Sequence, residues 1–505
     1  MGADRLATAG WVLILAYMAV ILTFVVRGAR RNRSLADYAL GSVHFSPVAV
    51  GLALAASMTS AATFIINPGF IALYGVSGVI SYAFALPAAA ILSLVVLTKG
   101  FRRHGTQVKA LTMAQWMGSR YESRGMALMF ALLSLLLVTF VVLIVVGLTK
   151  VLASTLDVGE LPVLIGVTAF VFGYMMFGGA NSMVYTNTVQ AVLMLVVAVI
   201  LLTSGLEHFR DGVHGFLDQL RAVDPALARP TNPGSFLFRD WFEIIVTQMI
   251  VGVAIVCQPH IITKSLLLKT DREVNRYLWV GGTTEMIFFL VVIVGLYARL
   301  AMPDLTVDGA ALKMDGIVSA YVVREFPVAV GLLVVLGLLS AGLSTLEGLI
   351  QSLATTVTKD LVEPLGGALL PADGDARERR LLAVNRGAIA LLAVVAAWLS
   401  WDQLRNPRLS VAIFAQNGVY AYFSAAFVPI LLGMFRKERA LAPAAAAAVT
   451  AVIVHFSMSY GRVQLPGTAA AGDNPGVAAA TAIIASVLAA LAVHLLSGRG
   501  RHARA

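Results

Sequence analysis

Residues 338–352 read LLSAGLSTLEGLIQS, an apolar run into which two adjacent hydroxyls, Ser344 and Thr345, and one carboxylate, Glu347, have been set. At about 100° per residue Ala341, Ser344 and Thr345 share one helical face, while Glu347 lies roughly 110° from the centre of that stripe. These are two separate features of one greasy helix. The hydroxyls have two readings. They bond back to carbonyls one turn earlier, as Ser and Thr do in membrane helices, or they pair with free carbonyls from elsewhere in the chain to hold a cation that takes neutral oxygen ligands. Sodium suits the second reading.

The surroundings decide what kind of helix this is. Of 505 residues, 59% are hydrophobic and only 13% charged, and the mean hydropathy is +0.85. Such a chain is solvated by lipid. Apolar runs of roughly twenty residues recur along it, giving about thirteen spans at 8–27, 46–74, 77–98, 126–149, 160–178, 182–205, 240–262, 277–300, 326–358, 381–401, 408–434, 440–460 and 475–496. The first is read as a retained helix and not a signal peptide, because only Arg5, offset by Asp4, precedes it and an arginine-rich stretch follows.

The net charge of +10 is distributed in alternate loops. Arg27, Arg30, Arg31 and Arg33 follow the first span; Lys99, Arg102, Arg103 and Lys109 the third; Lys264, Lys269, Arg272 and Arg276 the seventh. Arg377, Arg379 and Arg380, then Arg436, Lys437 and Arg439, then Arg499, Arg501 and Arg504 continue the series. The positive-inside rule then puts the N-terminus outside and the C-terminus in the cytoplasm of a cell inner (cytoplasmic) membrane. This pattern speaks for a bilayer partner and not for nucleic acid. Cys257 is the single cysteine, which excludes an intramolecular disulfide and a cysteine-based metal cluster. No Walker loop, HExxH or GxSxG motif and no long hydrophilic segment points to an enzyme or to an organic cofactor.

Irregular backbone at membrane depth is tolerated only where protein or a watery cavity satisfies it, so polar clusters inside spans are the informative places. In ALAASMTSAATFIINPGFIALYG, residues 53–75, small and hydroxyl residues run to Thr63 and Asn67-Pro68-Gly69 then interrupts the apolar pattern. That reads either as close helix packing with a proline kink or as a discontinuous helix whose freed carbonyls bind an ion or solute. FGGANSMVYTNTVQAVLML, residues 177–195, is a glycine turn running into a helix that bears Asn187 and Gln190. Gln258-Pro259-His260 closes one span, where His260 is expected at the cytoplasmic end, and Gln416-Asn417-Gly418 lies within another.

Together these clusters resemble the sodium:solute symporter family, over roughly residues 35–440, through SMTSAATFIINPG, GGANSMVYTNTVQAVLM, QPHIITK and LSAGLSTLEGLIQSLATTVTKDL. PDLTV at 303–307 and the QPH segment are similar to the pantothenate and monocarboxylate permease branches. The resemblance implies an all-α integral membrane fold of about thirteen transmembrane helices, with two inverted five-helix repeats that contain discontinuous helices. The expected divisions are 1–44 for an extra N-terminal helix and basic cytoplasmic loop, 45–206 for the first repeat, 207–239 for an extracellular loop, 240–439 for the second repeat, and 440–505 for two further helices and a basic tail. It implies a sodium site at Ala56, Thr59, Ala341, Ser344 and Thr345. Plausible solute contacts are Thr63, Asn67, Gln248 and Gln416.

Two departures stand out. Many relatives have an aspartate where this chain has Asn187, and proline-transporting relatives have one where it has Met58. Glu347 either supplies the lost carboxylate, with Asn187 beside the ion-release path, or is a solvated glutamate in a cytoplasmic vestibule. The expected function is secondary active symport of a small organic solute, preferably a carboxylate, driven by sodium. Proton coupling through Glu347 or His260 is the alternative. A sensory membrane module is a third reading, which the end of the chain soon after its last span disfavours.

Overall fold

The computed structural model describes residues 2–502 apart from 308, 367–369, 407–410, 437 and 439. Lys437, Arg439 and Arg504 of the basic loops lie outside the described residues. Eleven helices are long and apolar enough to cross a membrane, and two bent pairs complete a set of thirteen. In chain order the spans are Thr8–Ala29, the pair Pro47–Met58 and Ala62–Tyr74, Val76–Gln107, Arg124–Leu156, Glu160–Gly178, Ala180–Thr203, the pair Phe242–Ile255 and Pro259–Leu267, Asp271–Ala301, Val328–Gly366, Gly374–Arg405, Val411–Phe435, Leu441–Gly461 and Pro475–Leu496. The sole strands among the described residues are Thr306–Val307 and Ala310–Ala311, a short antiparallel hairpin after the eighth span.

The second and seventh spans are the two broken ones, bent by 55° and 58°. In the second, the helix stops at Thr59, which is extended (φ −92°, ψ 95°), and restarts where Ser60 Oγ accepts the backbone N–H of Ala62 at 3.1 Å. The break therefore sits about two turns before Asn67-Pro68-Gly69, where the sequence placed the interruption. Pro68 does not break the helix here because it opens a fresh helical segment, Asn67–Tyr74, behind a widened π turn at Ala62–Ile66. In that position its missing N–H and its ring cost little. In the seventh span the proline does coincide with the break: Gln258 is extended (φ −65°, ψ 136°) and Pro259 occupies the first helical position after it.

The second span packs on the sixth, eighth and ninth, and the sixth packs on the ninth. Small residues allow these approaches. Gly179, between the fifth and sixth spans, has φ +59°, and a Cβ there would press on the backbone carbonyl of Tyr38. The short helix Leu35–Leu40 is closed at its start by a capping box between Ser34 and Asp37. Gln351 of the ninth span holds it by donating to the carbonyls of Tyr38 (3.1 Å) and Ala39 (2.7 Å). The last two spans pack on each other and against the eleventh. The expected loop 207–239 contains an amphipathic helix, Gly212–Val223, whose Phe216 and Leu220 are buried.

Candidate functional site

The ninth span is buried on every side from Ser340 to Ile350. Its hydroxyls reach across to the end of the first half of the second span. Ser344 Oγ donates to the carbonyl of Ala56 at 2.7 Å, and Thr345 Oγ1 to the carbonyl of Ser57 at 3.1 Å. Both hydroxyls also lie near the carbonyl of Ala341, at 3.2 and 3.3 Å. Three carbonyls and two hydroxyls thus converge at the place where the second span stops being helical. Neutral hard oxygens of this kind suit a small alkali cation, since each hydroxyl can rotate to present a lone pair to it.

Thr59 stands differently. Its hydroxyl leaves this cluster and donates to Glu285 Oε2 in the eighth span at 3.0 Å. Thr59 is expected to contribute a backbone carbonyl; within the cluster the second carbonyl that meets a ninth-span hydroxyl is that of Ser57, two residues earlier, which bonds Thr345 while Ser57 Oγ donates to the carbonyl of Ser344 at 3.3 Å. Glu285 is fully buried. A carboxylate inside GGTTEMIFF, residues 281–289, is itself a signal of a functional place in a membrane helix.

Asn187 reaches the same cluster from the sixth span, its Nδ2 donating to Ser57 Oγ at 3.0 Å. Glu347 is not solvated: it is wholly buried against the fifth and sixth spans. Oε1 accepts the Tyr174 hydroxyl at 2.6 Å and Gln190 Nε2 at 3.1 Å, and Oε2 accepts the Thr186 hydroxyl at 2.6 Å. The face of the ninth span that the sequence turned toward a watery vestibule is therefore a polar junction inside the bundle. Three donors on one carboxylate meet the requirement that a buried charge be hydrogen-bonded.

Thr63, Asn67 and Gln416 line one cavity of about 90 Å³, together with Ser60, Tyr82, Gln258 and His260. Gln248 does not join them. It is buried on the other side of the seventh span, with Nε2 beside Gly476 of the thirteenth. Gln258, at the break of that span, supplies the amide that the cavity presents instead. His260 is likewise not at a cytoplasmic end; it is buried just past the break, and neither ring nitrogen has a hydrogen-bond partner among the described residues.

A family model described as the sodium:solute symporter family matches residues 38–452. The chain belongs to the sodium:solute symporter family. Relatives within it include the sodium/pantothenate symporter of Escherichia coli, 26% identical over 446 residues and covering 86% of this chain and 87% of that one. The sodium/pantothenate symporter of Haemophilus influenzae is 25% identical, over 68% of this chain and 70% of its own. Among solved structures, a Na+-coupled sialic acid symporter in a substrate-bound outward-open state superposes with a TM-score of 0.75 at 17% identity, covering 95% of this chain and 97% of the other. That likeness carries the fold. Family membership makes the protein a multi-pass membrane transporter and not an enzyme, with a small-molecule solute and sodium as the coupling ion.

Proposed function

We propose that the protein imports a small organic carboxylate together with sodium by alternating access. The observation that carries the reading is the oxygen cluster at Ala56, Ser57, Ala341, Ser344 and Thr345, placed at the break of the second span and one helical step from the cavity lined by Thr63, Asn67, Gln258 and Gln416. Pantothenate and sialic acid, named for the relatives, are both carboxylates, which supports that class.

The cluster joins a span of the expected first repeat (spans two to six) to a span of the second (seven to eleven). A cation bound there favours the arrangement in which the two repeats meet, and so shifts the population of conformations by its difference in affinity between them. The solute cavity abuts the same broken helix, so filling either site helps organise the other. In this reading the N-terminus lies outside and the basic loops lie on the cytoplasmic side of the inner membrane.

The test is uptake by purified protein in proteoliposomes of labelled pantothenate, short monocarboxylates, amino acids and sugars, each with and without an inward sodium gradient. Sodium-dependent accumulation of a carboxylate is the expected result; accumulation driven only by a proton gradient, or of no carboxylate at all, overturns it. Proton coupling is the second reading. The carboxylate of Glu347, buried a few residues from Asn187 and its Ser57 partner, is what favours it.

A further inference from the structure

The carboxylate reading raises a problem of charge. Among the described side chains lining the solute cavity there is no Lys, Arg, Asp or Glu, and His260 is the sole one of them with a basic group. Neutral amides and hydroxyls can orient a carboxylate, but they select it poorly over a neutral analogue.

His260 also lines a second, smaller space of about 30 Å³ on the basic-loop side, together with Lys264 one turn on, Gln351 and Thr355. The sequence pattern places Lys264 in a loop after the seventh span, yet the span continues to Leu267 and Lys264 is buried, 3% exposed. Its Nζ has neither a hydrogen bond nor an ion-pair partner among the described residues. The nearby carboxylate of Glu347 has both oxygens turned to Tyr174, Thr186 and Gln190. Glu347 is thus the opposite charge that faces Lys264 without touching it, and a buried ammonium with no direct partner beside a polar pocket leaves its hydrogen-bonding positions open to an anion. The space is shut on the far side by the short helix Leu35–Leu40, which Gln351 holds through two backbone carbonyls.

We infer that Lys264 is the residue that selects negative charge: it forms, with His260, an anion subsite behind the solute cavity, which the carboxylate of the solute enters as it moves from the cavity toward the basic-loop side. His260, facing both spaces, offers an imidazole N–H to the carboxylate on the way, and the ammonium of Lys264 receives it about 6 Å further along the helix. Departure of the Leu35–Leu40 helix from Gln351 then opens the subsite to water. This inference rests on the carboxylate reading of the function.

The test uses the full-length protein in proteoliposomes with pantothenate and propionate as probes, and their neutral counterparts panthenol and propionamide as competitors. Lys264→Gln is expected to lower sodium-driven uptake of both carboxylates by about tenfold or more, while Lys264→Arg stays within about threefold of wild type. Inhibition by the neutral competitors should not change. A sodium-dependent thermal shift retained in Lys264→Gln shows that the variant is folded. Wild-type uptake in Lys264→Gln overturns the inference, and so does an equal loss in Lys264→Gln and Lys264→Arg when both are folded. Failure of the wild-type protein to take up any carboxylate overturns the functional reading itself, and this subsite with it.

Discussion

The second and seventh spans bend by almost the same angle, 55° and 58°, but their breaks are built from different chemistry. At the second-span break the polar atoms are taken up by other spans: Ser344 and Thr345 bond the carbonyls of Ala56 and Ser57, and Glu285 accepts from Thr59. At the seventh-span break the polar atoms are left open. Gln258 Oε1, both nitrogens of His260 and Lys264 Nζ have no partner among the described residues, and they face two cavities. Satisfied backbone held by neutral oxygens fits an ion that must bind and leave; unpaired side chains fit a solute that brings its own polar groups. The contrast supports the proposed division into an ion side and a solute side within one bundle.

The largest expected effect comes from overpacking the second span beyond its break. Gly295 of the eighth span lies against the carbonyl of Pro68, which a Cβ would strike. Gly295→Val should therefore overpack the site by about 1–3 kcal/mol or more and yield little monodisperse protein on size exclusion. Gly348→Ala, whose new methyl would meet His260 Cβ at 3.4 Å, should be folded and transport-competent. Similar yields from the two variants would show that the two broken spans are equally tolerant and erase this part of the contrast.

Next in size is the ion side itself. Thr345→Ala removes one oxygen of the cluster, and losing a partner of buried polar groups costs about 1–3 kcal/mol. Half-saturating sodium should rise roughly 5- to 150-fold, while solute uptake at saturating sodium persists. A sodium titration of initial uptake rates checks this, and an unshifted curve removes Thr345 from the ion site.

How much of this can be read from the sequence follows the same division. The thirteen spans are legible because lipid demands long apolar runs, and the hydroxyl face of the ninth span because helical geometry fixes which residues share a side. The position of the second-span break is not, since Asn67-Pro68-Gly69 carries the strongest breaker signal while the chain actually unwinds at Thr59 and Ser60, where ordinary hydroxyl residues replace helical bonds. Glu285 and Lys264 escape a reading of the sequence for opposite reasons. Glu285 is a visible carboxylate in an apolar run whose weight the stronger hydroxyl and glycine clusters conceal. Lys264 has the pattern of a loop cation because the expected seventh span stops at residue 262, five residues short of the observed Leu267.

A smaller effect should separate the two carboxylate-bearing arrangements around the ion side. Glu347→Gln replaces an acceptor of three hydrogen bonds by an amide that must donate with one end, which is expected to lower turnover several-fold, at about 1 kcal/mol. If Glu347 supplies the charge that Asn187 lacks, Asn187→Asp should restore part of the loss, with an interaction energy of at least about 0.5 kcal/mol. Uptake by the four variants across sodium concentration and pH gives that number. An additive pair means that the two side chains act independently, and abolished pH-driven accumulation in Glu347→Gln with no sodium requirement in the wild type would favour proton coupling.

The smallest effect tests the solute side, where the seventh span carries two glutamines of opposite placement. Gln258 lines the cavity from the break, with Nε2 on the carbonyl of Ile255 at 3.1 Å and Oε1 unpaired; Gln248 lies beside Gly476 of the thirteenth span. A solute bound in the cavity can therefore use the first amide and not the second. Gln258→Ala should weaken solute binding by about 0.5–1.5 kcal/mol, which is roughly a 2- to 13-fold rise in half-saturating solute, with half-saturating sodium unaltered when solute is saturating. Gln248→Ala leaves the cavity as it was and should change neither constant. Paired solute titrations of the two variants decide the matter: an affinity loss in Gln248→Ala and none in Gln258→Ala would move the solute to the outer side of the seventh span and detach the open polar atoms of its break from transport.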